Sequence, residues 1–133
     1  SLYGWGKNGK KQITADNARV KNPYLIKEIK NPIKIISSDS IVVVVNEQGR
    51  IYTWGTFNLM KDQNKTINKP YEIKGAESIK DIVICNEKIY VLTIEDEIYC
   101  SDDNLKLEKI DISKWLLNII VCFFLFIISA ILL

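Results

Sequence analysis

Leu2-Tyr3-Gly4-Trp5-Gly6 returns 49 residues later as Ile51-Tyr52-Thr53-Trp54-Gly55, and after 47 more, in worn form, as Ile98-Tyr99-Cys100-Ser101-Asp102. A fixed period of this size marks one supersecondary unit used repeatedly, stacked because no unit can bury its apolar face alone. A second landmark keeps the same step: Pro23-Tyr24-Leu25-Ile26-Lys27 is answered by Pro70-Tyr71-Glu72-Ile73-Lys74. Between them, Ile33-Lys34-Ile35-Ile36 matches Ile79-Lys80-Asp81-Ile82, and Ile41 to Val45 matches Lys88 to Leu92. The runs are short, rich in Ile, Val and Tyr, and punctuated by Asn, Gly, Asp and Pro, which predicts strands and an all-β fold.

Asn46-Glu47-Gln48-Gly49-Arg50 reads as a hairpin turn with Gly49 free to take a positive φ; its counterpart, Thr93 to Glu97, has Asp96 at that place. The lysine- and asparagine-rich stretch Lys61 to Lys69 reads as an exposed loop between strands. Trp5, Trp54, Tyr52 and Tyr99 are expected to pack between neighbouring sheets. Gly6 and Gly55 would then serve a bulge or a close backbone approach, not a phosphate cradle.

These residues resemble the repeats of the regulator of chromosome condensation family, which build a seven-bladed β-propeller. That family runs from an apolar-Tyr-x-Trp-Gly strand into a Trp-Gly-x-Asn-x-x-Gly-Gln-Leu-Gly loop. Here Trp5, Gly6, Asn8 and Gln12 keep their places, whereas Lys11, Ile13 and Thr14 replace Gly, Leu and Gly. Pro23, the apolar run Ile33 to Ile36 and Gln48-Gly49 follow the pattern, but Ser38 and Ile41 stand where Gly and His would be. The second unit keeps Pro70 and ends on Ser101-Asp102-Asp103-Asn104, retaining the Asn alone. The resemblance covers residues 1–104, about two units of the seven, and implies a partial propeller whose edge strands are left open. It implies a protein-interaction surface; in the best-known member the propeller is an exchange factor for a small nuclear GTPase, so guanine-nucleotide exchange is the alternative.

Composition excludes several classes. Histidine is absent, which removes imidazole as base, ligand or pH switch and with it the serine and cysteine hydrolase triads. The net charge of +2 has both signs interspersed, and Arg19 and Arg50 are the two arginines among 18 basic residues. That balance predicts no nucleic-acid partner, since phosphate and base recognition favour the forked guanidinium. Cys85, Cys100 and Cys122 have no metal-binding spacing and make no disulfide framework. The acidic Glu95-Asp96-Glu97 and Ser101-Asp102-Asp103 lack the glycine-bent loop of a cation site and read as solvated turns. Lys7, Lys10 and Lys11 read as a solvated basic loop. No catalytic residue, metal site or cofactor is predicted, and the expected function is non-enzymatic.

The last nineteen residues carry no charge. As a helix rising ~1.5 Å per residue they would extend ~28 Å, close to the ~30 Å hydrocarbon core of a bilayer. The anchor residues are Trp115, Leu116, Leu117, Ile119, Ile120, Val121, Phe123, Phe124, Leu125, Phe126, Ile127, Ile128, Ile131, Leu132 and Leu133. Asn118, Cys122 and Ser129 do not make the polar stripe of a core helix. Residues 105–114 read as a linker, and its Lys106, Lys109 and Lys114 place the preceding part in the cytosol, as a tail anchor. A glycolipid-anchor signal attached near Ser101-Asp102-Asp103 is the rival, as are further spans beyond Leu133. The chain opens on Ser1 in what reads as mid-strand, so it is expected to be a fragment. A lumenal or secreted adhesion propeller would make the acceptor Asn64-Lys65-Thr66 a glycosylation site. The expected partners are membrane lipid and an unidentified protein.

Overall fold

The computed structural model describes residues 1–16, 18–59, 63–111 and 113. Its strands are β1 (Leu2–Gly6), β2 (Val20–Ile26), β3 (Pro32–Ser37), β4 (Ile41–Asn46), β5 (Ile51–Leu59), β6 (Gln63–Ile73), β7 (Ile79–Cys85), β8 (Lys88–Thr93), β9 (Ile98–Ser101) and β10 (Leu107–Lys109). They form three antiparallel sheets: a β1-β2 pair, then β3-β4-β5-β6, then β7-β8-β9-β10, each strand bonded to its neighbour in sequence. The fold of the described residues is all-β.

The Tyr-x-Trp-Gly strand is third in its sheet, not first. β1 and β2 therefore correspond to β5 and β6, and the described residues form a two-stranded pair followed by two four-stranded sheets. The expected hairpin turns are present at repeat-equivalent places. Gly49 has φ 74° and Asp96 φ 60°, and their amides donate to the carbonyls of Asn46 (2.9 Å) and Thr93 (3.1 Å). Asp tolerates this left-handed geometry better than most residues, which is why the turn survives the loss of glycine.

The core lies between sheets. β4, Ile-Val-Val-Val-Val-Asn, is buried along its whole length because each of its faces is covered. Ile41, Val43 and Val45 join Ile51, Phe57, Ile73, Ile82, Ile89, Val91, Leu105 and Leu107 on the side of the last sheet. Val42 and Val44 pack with Leu2, Ile26, Ile29 and Trp54 on the side of the first pair. Strand alternation supplies both sets, and each fully buried Val or Ile contributes about 1.5–3 kcal/mol.

Three expectations are corrected. Residues 63–69, read as loop, belong to β6, where Lys65 pairs with Phe57 and Ile67 with Gly55. Their polar composition fits an edge strand, which needs partners on one side and blunts pairing on the other. Residues 105–109, read as linker, include β10, paired with β9 and seated by buried Leu105 and Leu107. Trp5, expected between sheets, is 63% exposed, because among the described residues no sheet stands in front of β1. Among the described residues no helix is long and apolar enough to cross a membrane, and the expected span Trp115 to Leu133 lies outside them.

Candidate functional site

The motif residues assemble the seam between the first pair and the middle sheet. Asn8 is buried, and its side chain organises the loop after β1: Oδ1 accepts from the amides of Ile13 (2.8 Å) and Thr14 (3.3 Å), while Nδ2 donates to Thr14 Oγ1 (2.9 Å) and to the Asp16 carbonyl. Gln12 then reaches across, donating from Nε2 to the Asp39 carbonyl at 2.8 Å. Its own carbonyl accepts from the indole Nε1 of Trp54 at 2.6 Å. Trp54 is 2% exposed, so this bond satisfies a donor that would otherwise be stranded in the core.

Gly55 supplies the close approach. Its φ is 116°, and a Cβ there would lie 2.2 Å from the Ser40 carbonyl oxygen. That same oxygen accepts from the Thr56 amide at 2.9 Å. The strand pairing shifts register here, between Thr53 and Gly55, and likewise between Gly4 and Gly6, so both motif glycines mark bulges. Pro23 and Pro70 sit on β2 and β6, the outer strands, where a missing amide leaves no ladder bond unmade.

The second seam, between the middle and last sheets, rests on residues the motif does not contain. The Ser40 hydroxyl donates to Glu87 at 2.9 and 3.0 Å, and Lys34 pairs with Asp81. Both links join positions 47 apart, the repeat spacing itself. The spacing was thus the one signal that could have found them. The lysine hydrogen bond, with the Ile82 amide and the lysine charge, holds the Asp81 carboxyl below the usual carboxylate range. Gly75 (φ 122°) passes 2.6 Å, at its hypothetical Cβ, from the Leu107 carbonyl, admitting β10 to the seam.

At the turn end of this seam is an open cleft of about 810 Å³, lined by both hairpin turns and the 72–78 connection. Glu72, Glu77, Glu95 and Glu97 face it with Arg50, Lys74 and Tyr99. Glu97 accepts from Lys109 and from the Tyr99 hydroxyl (2.9 Å), and these bonds, Lys109 first, lower its carboxyl pKa. The same contact raises the pKa values of Lys109 and Tyr99. The arrangement gathers four carboxylates and two cations on the two hairpin turns and the 72–78 connection between them.

The remaining predicted positions stay apart from this cleft. Asp96 pairs with Lys80, and Asp102 Oδ1 caps its own turn by accepting from Asn104 (2.9 Å) and Lys106 (2.7 Å) amides. Among the described residues no group of three or more His, Cys, Asp or Glu could hold a metal ion. Lys7 and Lys10 are exposed, and Lys11 turns back to the Ala15 carbonyl.

No protein-family model and no curated protein matches the chain. Among solved structures, the crystal structure of human WBSCR16 is similar in fold, with a TM-score of 0.62 at 16% identity, over 83% of this chain and 35% of that one. The chain thus spans about a third of the neighbour's length.

Proposed function

We propose that the chain is part of a membrane-tethered β-propeller that binds protein on the cytosolic side and catalyses no reaction. The observation that carries this reading is the seam: consecutive sheets meet through residues one repeat apart, Lys34 with Asp81 and Ser40 with Glu87, as expected when like units stack on one another. The worn Trp-Gly-x-Asn loop and the fold likeness to WBSCR16 support consecutive blades of the condensation-regulator type. Turn residues around an open cleft provide a surface for a partner, and a fold of this kind licenses a surface before it licenses a reaction. The tether rests on the uncharged run from Trp115 to Leu133 and on the lysines before it.

Protease added to sealed membranes carrying the full-length protein tests the topology. Digestion of the strand-rich part from the cytosolic side is expected; its protection, or a glycan on the exposed Asn64, would place it in the lumen and overturn the cytosolic reading. Purified protein should leave nucleotide release from small GTPases unchanged. Acceleration would replace the non-enzymatic reading with exchange activity.

A further inference from the structure

The chain leaves the last sheet at one particular end of its strands. β10 runs antiparallel to β9, with Leu107 opposite Ser101 and Lys109 opposite Tyr99, and the Ile110 amide donates to the Ile98 carbonyl at 2.7 Å. Residues 110 and 111 therefore emerge beside the 93–97 turn, where Ile110 and Asp111 line a recess with Asp96 and Glu97, and Lys109 pairs with Glu97. The Gly49 turn and the cleft between the two turns lie at this same end. The loop built on Asn8 stands at the other: Gln12 reaches the Asp39 carbonyl, ahead of β4, and the Lys10 carbonyl accepts from the Thr56 hydroxyl at 3.2 Å. The six residues of β4 separate the two ends by roughly 20 Å.

Asp111 fixes the exit. Its Oδ1 accepts from the Ser113 amide at 3.0 Å and from the Ser113 hydroxyl at 2.6 Å; the first is the bond of a helix N-cap, and Ser113 is helical. The uncharged run from Trp115 to Leu133 begins four residues after Asp111. Four residues cover at most ~14 Å when extended and ~6 Å as helix.

We infer that the protein stands on the bilayer by its turn-bearing face: the Gly49 and Asp96 turns and the cleft between them lie at the headgroups, and the Asn8 loop points away from the membrane. The inference rests on the tether proposed above and adds which face that tether draws down. Further sheets of a propeller would cover the sides of these strands and leave their ends in place, so the orientation is independent of how many units the ring holds. A partner of the cleft then approaches within the headgroup layer, as the juxtamembrane part of another membrane protein does. A soluble partner meets the Asn8 loop instead.

Fluorescence in vesicles tests it. Full-length protein carrying Cys85→Ser, Cys100→Ser and Cys122→Ser receives a single labelled thiol through Gln48→Cys or Glu95→Cys on the turn face, or through Lys10→Cys on the loop face; all three positions are exposed. The vesicles are phosphatidylcholine bearing a headgroup spin label, a short-range quencher, in both leaflets. The labels at 48 and 95 should lose roughly half or more of their fluorescence relative to unquenched vesicles, and the label at 10 at most roughly a tenth, because such quenching does not span the ~20 Å between the faces. Flotation on a density gradient reads the tether by itself. Protein that fails to float with the vesicles overturns the tether and this inference with it. Protein that floats, with the labels at 48 and 95 dimmed no more than the label at 10, overturns the orientation and leaves the tether standing.

Discussion

The two full copies of the Tyr-x-Trp-Gly strand differ in little but their neighbours. Both bulge at glycine, with φ 102° at Gly6 and 116° at Gly55, and both pair antiparallel with an outer strand that carries a proline. Yet Trp54 is 2% exposed and Trp5 63%, and a Cβ on Gly55 would strike Ser40 and Ile41 whereas one on Gly6 would meet nothing within 4 Å. The motif shapes a strand that is ready to receive a sheet on its front face; it does not supply that sheet. In the second copy the β1-β2 pair does so, with the loop built on Asn8 and Gln12 accepting the indole hydrogen bond.

The largest effect that would break this contrast is at the tryptophans. Trp54→Ala should cost about 3–5 kcal/mol by chemical denaturation, and Trp5→Ala no more than about 0.5 kcal/mol. Equal losses would mean that Trp5 is covered in solution. The glycines come next. Gly6→Ala should carry the strain of a positive φ, about 1–3 kcal/mol, while Gly55→Ala should add about 1–3 kcal/mol for its clash with the Ser40 carbonyl, read as a lower denaturation midpoint.

The seam residues sharpen the comparison further. Glu87→Ala leaves the buried Ser40 hydroxyl without its acceptor and should cost about 1–3 kcal/mol, with Glu87→Gln recovering part of it because the amide oxygen still accepts. A Gln12→Ala change at the first seam should cost about 1 kcal/mol, since the Trp54 bond runs to the backbone carbonyl of residue 12 and survives. An equal loss at the two seams would place the weight on packing instead of on these bonds.

Acidification should have the smallest effect. Asp81 and Glu97 have carboxyl pKa values lowered in the folded chain, by Lys34 and by Lys109 respectively, so the unfolded chain takes up protons first as pH falls. Their contribution is complete above the ordinary carboxylate range and is lost below about pH 4. Lys109, raised by the same pairing, contributes while Glu97 stays ionised and loses its share at the other end only above the ordinary lysine range. Thermal midpoints between pH 6 and 8 should not move on account of these groups, and Asp81→Asn should flatten the acid limb slightly.

Much of this architecture is legible in the chain. Short apolar runs rich in Ile, Val and Tyr, and turn residues at matching places, located β1 to β9, and the repeated landmarks fixed which strands are equivalent. The β6 segment at residues 63–69 escaped because its residues are polar on an edge, where pairing comes from β5 rather than from burial of its own side chains. β10 escaped because three residues carry no periodicity, and what holds them is the packing of Leu105 and Leu107 under the seam. Ser40 and Glu87 carry no motif at all, and their meeting depends on two sheets being brought face to face.

Local pattern alone was therefore enough for strand identity, for the hairpin turns at Gly49 and Asp96, and for the spacing of the units, because each follows from backbone preferences within a few residues. Burial needed the assembled sheets: Val42 and Val43 are neighbours of one kind, yet one belongs to each seam, and Tyr3 and Tyr99 are one repeat position with opposite surroundings. A side chain's periodicity says which face it occupies, and the presence of a sheet on that face is a property of the packing between units.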